Sequence, residues 1–292
     1  MPTSSPVIVL GSLHYDIIVH GPGRPRKGET VTGTAWAPKC GGKGGNQAVS
    51  AARAGAPVQM IGAVGDDDFG TALVGNLTKN KVDVSSLAVL PGETSGMSVA
   101  IFDGEGDYGA VIVSGSNLKI DPAALSSKGW DAGSWLVLQS EIPEPVNLAG
   151  AQLMQAAGGK VMLNAAPARP VTQELLDLVD ILVVNAIEAE MLAETPVVET
   201  LAGAMDAAIK LLERSRAVVV TAGGEGCAYA DRDGQRVSIP AKKIVVASTH
   251  GAGDEFIGAL TAALWRGLDI ADALNAANHA AALLVSTPED QR

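Results

Sequence analysis

Short apolar runs alternate with longer stretches of helical periodicity along this chain, and no other feature limits its possible folds as strongly. Continuous runs rich in Val, Ile and Leu are typical of strands that are buried on both faces. We predict strands at Val7–Leu10, Val58–Val64, Trp135–Leu138, Lys160–Leu163, Ile181–Val184 and Val218–Thr221. Strands separated by helical segments form βαβ units. The sequence therefore predicts an α/β fold with a buried, mostly parallel sheet.

Two regions depart from this alternation. Helical periodicity covers Asn46–Arg53 and Asp68–Lys79, whereas residues 14–38 contain only extended stretches with Gly, Pro and Thr. Residues 96–113 have the pattern of two strands joined by a Gly-rich turn at 103–106, which indicates a hairpin. We expect these β segments to pair into a small antiparallel sheet that covers the main domain as a lid. A lid over a cleft can exclude water from it.

Charge argues against one large class of function. The 292 residues include 21 basic and 32 acidic side chains, a net charge of −11. Binding to a nucleic-acid backbone requires Lys and Arg to displace counterions, so we expect no nucleic-acid partner. The chain shows neither a secretion signal nor a run of about 20 apolar residues, so we expect a cytoplasmic protein with no membrane partner. No Pro- or Ser-rich linker divides residues 1–292, which predicts a single domain.

Four glycines surround one lysine at residues 41–45 and lead into a predicted helix that begins near Asn46. Glycines allow backbone amides such as that of Gly42 to approach a ligand closely, and a helix start adds partial positive charge. Lys43 contributes a cation, and the Asn46 amide can pair with hydroxyl groups. A flexible surface turn is the alternative. The density of glycines beside polar groups favours a ligand site, although the loop lacks the Ser or Thr that follows Lys in a P-loop.

A second glycine-rich segment precedes another helical stretch. Here Gly251, Ala252 and Gly253 are followed by Asp254. Their amides would lie at a helix N-terminus, which suits the charge of a transferring phosphoryl group. Asp254, in the first turn, could accept the proton of an attacking hydroxyl. Asp254 could equally cap the helix, and the residues alone leave both alternatives open.

Polar residues also follow predicted strands, at the edge where open α/β sheets bind ligands. Asn185 and Glu188 could share a metal–water shell or form a capping box, and these two roles can coexist. The carboxylates of Asp16 and Glu141 could hold sugar hydroxyls by charge-assisted hydrogen bonds, or each could simply be solvated. The turn at 221–226 could pass beneath a nucleotide or be a plain glycine turn.

Taken together, these motifs resemble the ribokinase-like sugar kinases of the PfkB family. Residues 41–69, which begin Gly-Gly-Lys-Gly-Gly-Asn-Gln, resemble the first family signature, and residues 248–260, with Gly-Ala-Gly-Asp inside, resemble the second. Residues 185–188 fit the family's Asn-x-x-Glu pattern. The order and spacing agree over about residues 6–285. The resemblance implies a three-layer α/β/α sandwich with a mostly parallel central sheet and a small β-sheet lid.

The resemblance also implies a reaction: transfer of the γ-phosphoryl group of ATP, with Mg²⁺, to a primary hydroxyl of a pentose, with D-ribose as the expected substrate. Asp254 would be the base, and the amides of residues 251–253 would form the anion hole. The implied sugar ligands are Asp16, His14, Gly42, Lys43, Asn46 and Glu141. The implied nucleotide ligands are Asn185, Thr221, Gly223, Gly226, His250 and Asn278. Asn185 and Glu188 would hold Mg²⁺ through water, and the lid strands would form a homodimer interface.

Departures from the family pattern modify these expectations. Ser248 stands where the family has an Asp of a monovalent-cation site, and the sequence stops at Arg292, before a loop that supplies further ligands to that cation. Both departures weigh against activation by K⁺. His14 replaces an Asn that touches the sugar, and Glu255 follows the base where a small residue is usual. A nucleoside or another sugar is therefore the alternative substrate. From a different class, a catalytically weak sugar- or nucleotide-binding protein on the same fold is a further alternative.

Overall fold

The computed structural model describes residues 5–104, 108–196, 198–288 and 291–292. Its strands are β1 Val7–Leu10, β2 His14–His20, β3 Ala35–Gly41, β4 Val58–Gly65, β5 Val82–Asp83, β6 Leu87–Leu90, β7 Gly96–Phe102, β8 Tyr108–Val113, β9 Trp135–Gln139, β10 Lys160–Asn164, β11 Ile181–Asn185, β12 Ala217–Thr221, β13 Gly226–Asp231 and β14 Arg236–Pro240. Its α-helices are α1 Lys43–Arg53, α2 Asp68–Lys79, α3 Glu144–Ala156, α4 Gln173–Leu176, α5 Ala186–Ala193, α6 Leu201–Leu211, α7 Ala252–Trp265 and α8 Ile270–Ser286.

The central sheet has ten strands in the order β14-β13-β12-β11-β10-β9-β1-β4-β5, with β6 beside β4. Pairing is parallel from β12 to β5, and only β13 and β14 run antiparallel to their neighbours. The α/β prediction and its six central strands are confirmed. The observed strands end within one residue of the predicted bounds, because their apolar runs stop where the chain leaves the interior.

Helices cover both faces of this sheet, which explains the continuous apolar runs of its strands. Alternate residues of β1 point to opposite sides. Val7 and Val9 pack in one core with side chains of α1, α2, α7 and α8, whereas Ile8 and Leu10 pack in a second core with α3 to α6. All four β1 side chains are fully buried. The result is the expected three-layer α/β/α arrangement, with β1 at its centre.

The lid is a separate four-stranded sheet in the order β3-β2-β7-β8. Its strands come from the two regions that lack helical periodicity, as predicted. The pairing was only partly anticipated: β2 and β7 run parallel, whereas the other two pairs are antiparallel. The expected turn at 103–106 lies partly outside the described residues. Tyr15 of β2 stacks on Phe69 of α2, with ring centroids 4.4 Å apart, and so fastens the lid to the main body.

Helix α1 begins at Lys43, three residues earlier than the sequence predicts. Gly44 and Gly45 are poor helix formers, which is why the sequence favours a later start. The structure includes both glycines because the first turn of α1 packs directly on residues 11–13. Among the helices of the described residues, none combines the length and apolar character that crossing a bilayer requires.

Candidate active site

The candidate site lies at the carboxyl ends of the parallel strands, where β1, β9, β10, β11 and β12 all finish. The strand register places Asn164 beside Gln139 and Val183, and Asn185 beside Thr221. Polar residues that are far apart in sequence therefore lie along one edge of the sheet. The N-terminal ends of α1 and α7 meet the same edge, and helices α1 and α7 pack against each other there.

Asp254 is buried at this edge, with only 9% of its surface exposed. One of its carboxylate oxygens accepts a hydrogen bond from Asn46 Nδ2 and the other from Gln47 Nε2, each at 3.0 Å. The residue at the N-cap of α7 is Gly251, and no side chain caps this helix. The alternative role of Asp254 as a helix cap is therefore wrong. Its carboxylate is held by α1 instead.

Burial raises the pKa of Asp254 above the usual value of an aspartate. The positive charge of Lys43 and the hydrogen bonds from Asn46 and Gln47 oppose that rise. A carboxylate with a raised pKa is a stronger proton acceptor than a solvated one, provided that the pH keeps it ionised. The surroundings of Asp254 thus suit a general base.

The start of α7 has the geometry of an anion site. Gly251 adopts the left-handed region at φ 81°, which turns the chain into the helix. The first amides of a helix lack intrahelical acceptors and carry partial positive charge. The Ala252 amide already donates to Thr249 O at 3.2 Å, whereas the Cα of Gly253 faces open space. The predicted anion hole at 251–253 is thus physically available, with one of its amides shared with a turn.

Glu141 connects the first strand loop to the start of α1. Its Oε2 accepts hydrogen bonds from Ser12 Oγ at 2.5 Å and from the Lys43 amide at 2.8 Å, and it lies 3.8 Å from His14 Nδ1. His14 is buried, and its Nε2 has no hydrogen-bond partner among the described residues. Glu141 therefore holds the loop at Ser12 and the start of α1 beside His14, whose Nε2 has no partner among the described residues.

A cavity of about 250 Å³ opens between the lid and the main sheet. Asp16, on β2, lies on its lid side, where burial raises the pKa of the carboxyl group and Ser98 Oγ donates a hydrogen bond to it. The polar residues that line the cavity are His14, Asp16, Lys43, Asn46, Ser98, Glu141, His250 and Asp254. Apolar side chains of the lid, such as Ile18 and Ile112, close the remaining wall. The cavity brings together all six predicted sugar ligands, including Gly42.

A second cavity, of about 200 Å³, lies on the other side of Asp254. It is lined by Lys43, Asn164, Asn185, Glu188, Thr221, Thr249 and the residues of the α7 start. Asp254 and Lys43 border both cavities. The positive charge of Lys43 opposes the rise in the pKa of both Asp254 and Glu188, so the ammonium group lies close enough to act on both carboxylates. Lys43, predicted to face only the sugar, is placed to serve both cavities.

Asn185 and Glu188 form the capping box that the sequence offered as one alternative. Asn185 Oδ1 accepts from the Glu188 amide at 2.9 Å, and Glu188 accepts from the Asn185 amide at 2.8 Å and from Asn185 Nδ2 at 3.0 Å. Both oxygens of Glu188 are thus engaged. Burial raises the pKa of this carboxyl group. Within the described part of the chain, no cluster of three or more His, Cys, Asp or Glu could hold a metal ion directly.

The family of the chain follows from comparison with known proteins. The pfkB family carbohydrate kinase model matches residues 5–292. The chain belongs to the pfkB family of carbohydrate kinases. A ribokinase from Bacillus subtilis is 38% identical over 282 residues, which cover 96% of this chain and 92% of that protein. A deoxyribokinase from Salmonella typhi is 31% identical over 256 residues, covering 86% of this chain and 83% of that protein.

Solved structures agree with this assignment. The ribokinase of Arabidopsis thaliana, complexed with ribose and ATP, superimposes with a TM-score of 0.89 at 28% identity, covering 98% of this chain and 94% of that chain. The predicted ribokinase-like fold is thereby confirmed, together with the expectation of an ATP-dependent sugar kinase. The two cavities described above belong to a carbohydrate kinase.

Some predicted nucleotide ligands of this pfkB kinase lie away from the second cavity. His250 lines the lid cavity, so its position favours the sugar over the nucleotide. Asn278, on α8, donates to Pro240 O at 2.9 Å, beside β14. Gly226 has φ 117°, and a Cβ there would lie 2.0 Å from Ile239 O, which explains this glycine by the fold alone. Thr221 and Asn185 line the cavity as expected.

The kinase site also contains residues without an individual role in the sequence predictions. Gln47 Nε2 bridges Asp254 and Asn164 Oδ1, the latter at 3.1 Å. Asn164 follows β10, so the same signal that identified Asn185 could have identified it. Ser98, in contrast, lies within a lid strand and has no local signal, because its contact with Asp16 depends on the pairing of β2 with β7.

Proposed function

We propose that this protein is a ribokinase, which transfers the γ-phosphoryl group of ATP to the primary hydroxyl of D-ribose. The observation that carries the proposal is the position of Asp254. Its buried carboxylate borders both the lid cavity and the cavity at Thr221, with the open start of α7 beside it. A base shared by two cavities suits a reaction in which a hydroxyl from one attacks a phosphoryl group from the other.

The proposed step couples a proton transfer to the transfer of the phosphoryl group. The sugar hydroxyl gives its proton to Asp254, and its oxygen forms a bond to the γ-phosphorus of ATP while the bond between that phosphorus and the bridging oxygen of ADP breaks. The amides of Gly251 and Gly253 would stabilise the charge on the transferring group. Lys43, between the two cavities, would neutralise charge on either phosphate. Catalysis of this kind depends chiefly on positioning and electrostatic stabilisation.

The sugar would be held by the lid cavity. Asp16 offers a carboxylate oriented by Ser98, and His14 offers a buried Nε2 that finds no hydrogen-bond partner in the described part of the chain. Such groups are costly to bury unless a ligand supplies the missing hydrogen bonds, which favours a polyhydroxylated substrate. His250, from the loop before α7, would close this cavity on the side of the attacking hydroxyl.

ATP would occupy the second cavity, and Asn185 and Glu188 would hold Mg²⁺ through water. Their oxygen atoms fit that role, because each Glu188 oxygen accepts one hydrogen bond from Asn185 and keeps a lone pair for a water ligand of the ion. Mg²⁺ commonly keeps several waters and binds through one or two carboxylates together with substrate phosphates. When bound, the ion would neutralise charge on the phosphate oxygens.

A substrate panel tests the proposal. ADP release is measured with Mg²⁺-ATP and ribose, deoxyribose, fructose, pseudouridine or adenosine, and the product is identified by phosphorus NMR. We expect the highest kcat/KM with ribose and a product phosphorylated at the primary hydroxyl. A higher value with deoxyribose or a nucleoside would assign the enzyme to that substrate. If no compound turns over while a sugar still raises the Tm, the protein is a sugar-binding protein on a kinase fold.

We further propose that the lid and main sheet act as one kinase domain over residues 1–292 and that the lid joins two copies of the chain. Large apolar side chains are exposed on the lid strands, including Trp36 at 67% and Val111 at 69%. Exposed apolar patches of this kind commonly mark interfaces. Sedimentation equilibrium of the wild type and of Val111→Lys tests this, with a dimer expected only for the wild type. A monomeric wild type would refute the lid interface.

A further inference from the structure

The guanidinium group of Arg292 donates hydrogen bonds to three main-chain carbonyl oxygens. Its Nε donates to Thr287 O at 2.9 Å, its Nη1 to His250 O at 2.8 Å, and its Nη2 to Ser248 O at 2.8 Å. Each of the three nitrogens thus has a different acceptor, and the three acceptors come from two separate segments. A planar guanidinium presents donors in a rigid fork, so it fixes the distances between the segments that it joins.

The two segments meet next to the proposed anion hole. Residues 248–250 precede Gly251 directly, and Thr287 follows the last residue of α8. The loop at 241–250 contains neither helix nor strand, and most of its residues are exposed. The amides of Ala247 and Ser248 add hydrogen bonds to Val285 O, at 2.8 and 3.2 Å. The approach to α7 is therefore fastened mainly to the end of α8.

The electrostatics of this junction favour a cation. Carbonyl oxygens carry partial negative charge, and the C-terminal end of a helix such as α8 adds more. Several carbonyls that converge on one point attract a positive charge, either a metal ion with oxygen ligands or a cationic side chain. In this protein the positive charge belongs to the chain itself, in the side chain of Arg292.

We propose that Arg292 is a positioning residue that substitutes for a bound monovalent cation and holds the amides of residues 251–253 in place for phosphoryl transfer. The inference rests on the proposed function, because it assigns the anion hole to these residues. It also gives a physical reason to expect independence from K⁺: the carbonyls of Ser248 and His250 already have a cationic partner. Arg292 itself does not line the lid cavity, so we expect its effect chiefly on kcat, with a smaller effect on the sugar KM through His250.

The test compares wild type, Arg292→Ala and Arg214→Ala in KCl and in tetramethylammonium chloride at equal ionic strength. Arg214 is a matched control, since its Nη2 donates to Val171 O at 3.0 Å far from the site. We expect wild type and Arg214→Ala to have the same kcat in both salts. Arg292→Ala should lose about a hundredfold in kcat in tetramethylammonium, the lower end of the range for one anion-hole donor, with a smaller effect on the sugar KM. It should regain at least a third of the wild-type kcat in KCl or guanidinium chloride.

The outcomes separate a cationic role from a merely structural one. Wild-type turnover that requires K⁺ would overturn the proposal. Full kcat of Arg292→Ala in tetramethylammonium would also overturn it, and so would a loss of kcat that neither K⁺ nor guanidinium restores. A second measurement does not depend on turnover. KCl should raise the Tm of Arg292→Ala above its value in tetramethylammonium but leave the wild-type Tm unchanged, and equal responses of the two proteins would contradict the proposal. Failure of the wild type to phosphorylate ribose would refute the proposed function and leave this measurement valid.

Discussion

The starts of helices α1 and α7 look alike in sequence and differ in their surroundings. Each follows a glycine with positive φ, 84° at Gly42 and 81° at Gly251, and neither has a side-chain cap. At the α1 start a Cβ on Gly42 or Gly44 would lie within 2.7 Å of the backbone of residues 11–14. At the α7 start a Cβ on Gly253 would meet nothing within 4 Å.

Glycine therefore occurs at the two helix starts for different structural reasons. At α1 the glycines allow two segments of the chain to touch, which brings Asn46 and Gln47 to Asp254. At the α7 start, Gly253 borders open space beside the same Asp254 carboxylate. Close backbone contacts therefore account for the α1 glycines, whereas the open space at Gly253 leaves room for a ligand. The composition of residues 41–45 predicts a ligand site at the α1 glycines as well, because local composition does not reveal what lies opposite a glycine.

The largest effect is expected for Asp254→Asn, at the open helix start. Loss of a general base typically lowers the rate by about 10² to 10⁴-fold, and we expect a fall in kcat of about a thousandfold. The amide keeps the shape of the carboxyl group, so the sugar should bind with little change. Turnover by ADP release and sugar binding by calorimetry measure the two effects.

Asp180→Asn is the matched control for that substitution. Asp180 is as buried as Asp254, at 7% against 9% exposed, but it precedes β11 at the opposite edge of the sheet and pairs with Lys160 at 3.0 Å. This variant should lose stability and retain kcat. Turnover retained in Asp254→Asn, or lost equally in both variants, would remove Asp254 from the role of base.

Gly44→Ala should have the next largest effect, on stability. Its new methyl group would lie 2.6 Å from the amide nitrogen of Ser12, where backbone and not a flexible side chain is in the way. Overpacking of this kind costs about 1–3 kcal/mol, and we expect the upper end of that range. Urea unfolding monitored by circular dichroism measures the loss. An unchanged free energy of unfolding would show that the α1 glycines are not required for packing.

Gly253→Ala, at the start of α7, should have the opposite effect to Gly44→Ala: it should lower turnover and not stability. Alanine is the better helix former by about 1 kcal/mol, so stability should be unchanged or slightly greater. The methyl group would enter the space proposed for the transferring phosphoryl group, and we expect kcat to fall about a hundredfold, as for the loss of one anion-hole donor. The same unfolding and turnover assays apply. A variant with normal kcat would show that no phosphoryl group approaches Gly253 closely.

The smallest effect is a shift in pH dependence. Burial raises the pKa of Asp254 above the usual value of 3.8, and a base works only when ionised. Turnover should therefore decline as the pH falls through this raised pKa, with the midpoint of the acid limb above 3.8. Asp16 also has a raised pKa, so the profile of kcat is recorded for Asp16→Asn at saturating sugar. A midpoint that disappears in this variant would assign the limb to Asp16.

Local patterns predicted much of the fold. The central strands follow from apolar runs. The bounds of α2 were predictable because its cap is close in sequence: Asp67 accepts a hydrogen bond from the Gly70 amide at 2.7 Å. The early start of α1 was not predictable, since the contact between Gly44 and residues 11–13 outweighs the weak helix propensity of glycine. The parallel pairing of β2 and β7 likewise depends on contacts between distant segments.

By itself, the sequence determined the α/β class and the two glycine-rich helix starts, because these depend on residue types at fixed local spacing. For Asp254 the residues alone left a base and a helix cap open, and the base is implied by the resemblance to the pfkB family. Only the tertiary structure decided that Asp254 is held by Asn46 and Gln47, that Ser98 orients Asp16, and that Arg292 holds the loop before α7. These contacts join residues from 44 to 208 positions apart. Their partners are fixed by how the strands and helices pack, and no local pattern in the chain encodes that packing.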